Sequence, residues 1–157
     1  MTVLILSLAL LVAAGCSGPS PEPAPAEQQA AAPAERIHDE THKFHKTGLV
    51  EARVVESNLG GKDFMPGGNL AEYEKDGKKY QVFFSLRRNS QQATFLATDY
   101  RDILSDTKYI SQFGGFFGMD GETPTLVFPR NKYVIVIAGL DFEDADMAGR
   151  MIAAYLN

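Results

Sequence analysis

All three histidines of the chain fall within eight residues, His38 to His45, of the stretch Ile37-His38-Asp39-Glu40-Thr41-His42-Lys43-Phe44-His45. His38, His42 and His45 recur at i, i+4 and i+7, so a helix would line three imidazoles along one face. Neutral imidazole suits Zn²⁺, Cu²⁺ and Ni²⁺, and Asp39 or Glu40 could add an oxygen ligand. Zn or Cu is therefore the one cofactor chemistry these residues offer. The bland alternative is a solvated junction whose imidazoles have no task, because an ordered metal site also needs supporting hydrogen bonds around its ligands.

A second candidate is the glycine and aromatic run from Phe113 to Gly121, read as a loop. Exposed there, Phe113, Phe116 and Phe117 would make an adhesive patch for a partner; turned inward, they would plug the core while the glycines make the turns. Carboxylates cluster at Glu72 and Glu74, at Asp99 and Asp102, and at Asp141, Glu143, Asp144 and Asp146. Solvated faces and helix-start electrostatics account for them, and no D-x-[DN]-x-[DN]-G loop argues for calcium. Catalytic patterns are missing: there is no G-x-S-x-G elbow, and Gly60-Gly61-Lys62 lacks the spacing and hydroxyl of a phosphate-binding loop. The reading is a protein that is not an enzyme.

The elements that must carry these residues follow from periodicity. Leu49 to Glu56 alternates as a half-buried strand, with Val50, Ala52 and Val54 inward, and residues 57–68 read as a loop. Asp76-Gly77 between two alternating segments is the signature of a two-residue hairpin. That turn sets Tyr73 opposite Tyr80, Ala71 opposite Val82 and Glu74 opposite Lys79. A helix is expected over about 90–105, capped by Asn89 or Ser90, and then a short strand near 108–110. Thr125 to Phe128 and Lys132 to Ala138 read as a second hairpin joined by Pro129, Arg130 and Asn131. Its second strand is apolar throughout from Tyr133 to Ile137, as for a central strand covered on both faces. A closing helix begins at an Asp141 cap, with Ala145, Ala148, Met151, Ile152, Tyr155 and Leu156 as its buried stripe. The fold class is α+β: an antiparallel sheet of about five to six strands with two helices on one face, and a weak ββα-ββα pseudo-repeat between residues 70–104 and 125–156. The second half resembles domains of unknown function in other exported bacterial proteins, through Asn131-Lys132-Tyr133 and the terminal helix. That resemblance implies no activity.

Ahead of the domain, Val3 to Ala14 is apolar apart from Ser7, and Gly15-Cys16 then gives way to Ser, Pro and Glu. A spanning helix needs about 20 apolar residues, whereas an export-signal core of roughly 7 to 15 ends in small residues. The segment Val12-Ala13-Ala14-Gly15-Cys16 resembles the lipobox of bacterial lipoproteins. Ala13 stands where Leu is commoner, and no Lys or Arg precedes the apolar run; a start slightly upstream would remove the second departure. The resemblance implies a signal peptide over residues 1–15 and a diacylglycerol thioether on Cys16, with a further acyl chain on its amine, such as palmitate. Two or more chains make such anchoring stable. Ser17 follows where an Asp would be associated with inner-membrane retention, so in a Gram-negative envelope the outer membrane is expected.

Residues 17–36, SGPSPEPAPAEQQAAAPAER, hold five of the eight prolines and nothing large to bury. They read as a disordered tether able to hold the domain about 60 Å from a lipid surface. The expected organisation is a lipidated tether with its histidine junction over 16–43 and one α+β domain over 44–157. Cys16 is the only cysteine, so the domain has no internal disulfide and must be stabilised by packing. A formal charge of −5 without a basic cluster argues against nucleic acid and against electrostatic docking on anionic lipid. The expected function is therefore a lipid-anchored, non-catalytic binding or assembly module with an envelope protein partner. Transition-metal binding at His38, His42 and His45 is the alternative.

Overall fold

The Asp76-Gly77 turn sets the register of half the sheet. Both residues take positive φ, 53° and 77°, which an Asp-Gly pair allows at small cost. Its flanking strands then pair Tyr73 with Tyr80, Ala71 with Val82 and Glu74 with Lys79, as the turn demands. A computed structural model describes residues 36–156; the leader, Cys16 and the tether to residue 35, with the readings attached to them, lie outside the described residues. In chain order the elements are β1 (Leu49–Ser57), β2 (Pro66–Lys75), β3 (Lys78–Leu86), α1 (Ser90–Asp102), β4 (Ser105–Ile110), β5 (Gly115–Asp120), β6 (Thr123–Arg130), β7 (Tyr133–Ala138) and α2 (Phe142–Tyr155). They build one antiparallel sheet of seven strands in the order β1-β2-β3-β7-β6-β5-β4. The class is α+β, with more strands than the sequence suggests.

The added strand is β5. Residues 113–121 read as a loop, yet Gly115 to Asp120 pair on both sides, with β4 and with β6. Its glycines answer close approach rather than a turn: a Cβ on Gly115 would lie 2.3 Å from the Val127 carbonyl oxygen, and one on Gly118 2.7 Å from that of Ser105. The turns lie outside the strand, at Gly114 and Gly121, both with positive φ.

Both helices start at side-chain caps. Asn89 Oδ1 accepts from the Gln92 N–H at 2.9 Å, and Asp141 Oδ1 from the Asp144 N–H at 3.1 Å. The helices do not share a face. In β7, Tyr133, Ile135 and Ile137 point into a core with α2, through Ala145, Ala148 and Ile152; Val134 and Val136 point into another with α1, through Ala93, Ala97 and Tyr100. The sheet is thus covered on both sides, which corrects the one-face expectation. Period-two alternation shows that both faces of β7 are apolar but not which face each helix takes. The hairpin-then-helix order recurs. The packing does not, since both helices lie over β6 and β7, from opposite sides.

Both helices lie chiefly over β6 and β7, and irregular chain covers much of the sheet on the β1 and β2 side. On the α2 face Phe44 inserts against Ala71 and Phe84, its ring 4.7 Å from that of Phe84. On the α1 face the β1–β2 connection supplies Leu59 and Met65. β1 itself is an edge strand with a bulge at Val50, between the pairs Leu49–Tyr73 and Glu51–Glu72. The bulge leaves Val50 66% exposed, and Val54 is exposed too; the inward Val50, Ala52, Val54 set is corrected to Leu49 and Ala52 against one core and Val55 against the other.

Two buried tyrosines make the fold sensitive to alkali. Burial raises the Tyr100 hydroxyl above its ordinary pKa, and the Asp120 carboxylate it donates to at 3.3 Å adds to the rise. Tyr73 is raised chiefly by burial, then by Tyr80 stacked on it at 4.9 Å. Unfolded tyrosines ionise near pH 10, so above that pH the unfolded chain sheds protons that the folded chain keeps. Stability is expected to hold below about pH 10 and then to fall by up to about 1.4 kcal/mol per pH unit for each such tyrosine. Urea titrations between pH 8 and 11.5 check this, and Tyr100→Phe is expected to reduce the slope.

Candidate functional site

The three histidines do not share a helix. Thr41–Lys43 makes a single 3₁₀ turn and Phe44 is already extended. Asn69, 2% exposed, accepts from the Glu40 N–H at 2.9 Å and donates to the His38 carbonyl at 3.0 Å. Lys43 donates to the Tyr133 hydroxyl at 2.5 Å. These bonds and the burial of Phe44 draw residues 38–44 along the sheet as a strap, so the packed part of the chain begins before Phe44. His38 and His42 are exposed, whereas His45 is half-buried and its Nδ1 accepts from the Thr47 N–H at 3.1 Å. The helical face premised for the imidazoles is therefore corrected, and among the described residues no three His, Cys, Asp or Glu side chains are grouped to hold a metal ion.

Phe113, Phe116 and Phe117 do not form one patch. Phe116 and Phe117 are neighbours in β5 and point to opposite faces of the sheet, each half-buried. Phe117 meets Phe142 edge-on at 5.3 Å, and Phe116 packs 5.5 Å from Tyr109 with Arg101 over its ring. Phe113 stacks on Phe128 at 4.6 Å. Each ring packs against another aromatic ring and stays half-buried.

Among the carboxylates, Glu72 pairs with Arg53, Asp102 with Arg101, and Asp146 with Arg150. Lys78 reaches across to both Asp141 and Asp144. Those two hydrogen-bonded carboxylates, Asp144 foremost, raise the lysine's pKa, and Lys78 in turn lowers that of Asp141. The Lys78 ammonium occupies the place a cation would need between them.

The Lys78 pairs also bridge one end of a groove of about 300 Å³ between α2 and the β2–β3 hairpin. Lys75, Lys78 and Tyr80 form one wall, Met147 and Met151 the other, and His45 joins them. The helix wall continues into an apolar ridge: Met147 is 60% exposed, Met151 40% and Tyr155 57%. Met151 and Tyr155 were expected in the buried stripe of α2, and this is a correction. The inward residues are Ala145, Ala148, Gly149 and Ile152. At about 100° per residue their centre lies about 110° away from Met151. A larger hollow of about 410 Å³ opens on the other face among Glu72, Lys79 and Gln81, but it is a charged sheet surface without such a ridge. The signal for the ridge was in the sequence, as Met147, Met151 and Tyr155 at four-residue intervals beside a stripe of small residues.

Compared with protein-family models, with curated proteins and with solved structures, the chain matches none.

Proposed function

We propose that this chain is a lipid-anchored cell-envelope protein whose domain is a non-catalytic assembly module, held to an envelope protein partner through α2. The observation that carries the assembly reading is the exposed Met147, Met151 and Tyr155 ridge beside a groove. Large side chains left in water along one helix are a docking signature, and methionine adapts its shape to a partner. The ion pairs of Lys78 support the same reading, because they commit charged groups of the groove to structure. The lipobox at Cys16 and the tether behind it support the anchor.

The test uses the full chain expressed in bacteria. Metabolic labelling with an alkyne-bearing palmitate is expected to mark the wild type and not Cys16→Ser, which leaves the membrane fraction; label retained in Cys16→Ser would overturn the anchor. After amine-reactive crosslinking of intact cells, before extraction, the wild type is expected to migrate on denaturing gels above the mass of one chain. Met147→Asp/Met151→Asp should return it to that mass with an unchanged melting midpoint. A wild type that migrates as one chain would remove the assembly reading.

A further inference from the structure

The stripe on α2 continues beyond its apolar residues. Glu143, Met147, Met151 and Tyr155 recur every fourth position, so they lie along one side of the helix with a drift of about 40° per step. Glu143 stands exposed at the N-terminal end. At the C-terminal end the His45 ring lies 6.0 Å from that of Tyr155, and Lys46, the next residue, is exposed. Neither Glu143 nor Lys46 has an ion-pair partner among the described residues. The face is acidic at one end, apolar in the middle and basic at the other.

Such a face complements itself when turned about a two-fold axis across the helix. Glu143 and Met151 are separated by about 12 Å of helix, and the same distance beyond Met151 passes Tyr155 by about one turn, toward the end where His45 stands. We propose that this face pairs two copies of the chain, α2 antiparallel to α2, with Met151 on the axis and Glu143 of each copy against Lys46 of the other. The inference rests on the assembly reading above and names its partner. The contact is isologous: Met147 of one copy meets Tyr155 of the other, twice. One helix stripe falls short of the roughly 1,200 Å² that a stable interface in solution buries. Confinement of both copies on a membrane raises their effective concentration and supplies the difference. Pairing is therefore a property of the anchored chain.

The test places a photo-crosslinking benzoylphenylalanine at Met151 in the full chain, co-expressed with a differently tagged copy. Irradiation of intact cells is expected to give an adduct of two chains carrying both tags. Glu143→Lys sets like charges against Lys46 and is expected to lower its yield at least tenfold; adding Lys46→Glu restores it. Both positions are exposed, and an unchanged melting midpoint in each variant shows that folding is not the cause. An adduct with any other protein, or a two-chain adduct indifferent to Glu143→Lys, would overturn the pairing while leaving the assembly reading standing. Absence of any adduct at Met151 would remove both.

Discussion

Gly115→Ala is expected to cost about 3 kcal/mol or more in urea unfolding of the unlipidated chain, while Gly114→Ala, one residue earlier, costs about 1–2 kcal/mol. The two glycines are present for different reasons. Gly114 has φ 63° and open space where a Cβ would stand, so alanine there meets only the left-handed backbone penalty. Gly115 has ordinary strand geometry, but a Cβ would lie 2.3 Å from the Val127 carbonyl oxygen and 2.4 Å from Phe128 Cβ. Neither neighbour is the far end of a flexible side chain. To admit a methyl group, β5 must move away from β6, and Phe116 and Phe117, which pair there with Val127 and Leu126, move with it. Since those phenylalanines pack into opposite cores, both layers are disturbed. Equal costs at the two positions would mean that Gly115, too, is there for its backbone freedom and that the pairing is looser than described.

That contrast shows what a sequence can disclose about this fold. The Asp76-Gly77 hairpin and the Asn89 and Asp141 caps are legible because their causes lie within a few residues: a turn needs its φ values, and a cap needs an acceptor three residues before a free N–H. β5 is not legible, because its glycines answer carbonyls twelve and thirteen residues away, and a glycine required by crowding looks the same in sequence as one required by a turn. The rotation of α2 is an intermediate case. Ala145, Ala148 and Gly149 mark the inward side by their small size, which lets the helix approach β6; weighting residues by hydrophobicity alone groups Met151 and Tyr155 with the buried Ile152 and hides the ridge. The histidines mislead for a further reason. Their i, i+4, i+7 spacing has meaning only on a helix, and the helix is lost to one distant residue, Asn69, which takes the backbone of His38 and Glu40 for itself.

Breaking that strap is expected to have the other large effect. Phe44→Ala empties a buried site between Ala71 and Phe84 and is expected to cost about 3–5 kcal/mol. Asn69→Ala leaves the Glu40 N–H and the His38 carbonyl without their partner, at about 1–3 kcal/mol for each group that water does not reach. The argument for so large a role is one of coverage. On the α2 face the helix packs over β6 and β7, and the part of the core contributed by Ala71, Tyr73, Phe84 and Tyr133 is roofed by the strap. Tyr73 and Tyr133 also spend their hydroxyls on it, Tyr73 donating to the His45 carbonyl at 3.0 Å and Tyr133 accepting from Lys43. Hydrogen exchange separates this from a general loss of stability. In Asn69→Ala, amides of residues 38–45 are expected to lose protection ahead of those in β7. Loss at the same rate throughout would show that the strap is no separate layer and that residues 38–45 unfold only with the sheet. In a chain anchored at Cys16 as proposed, residues 38–45 would be the first packed segment after the anchor, so a pull from the membrane would act on the strap before it acts on the sheet.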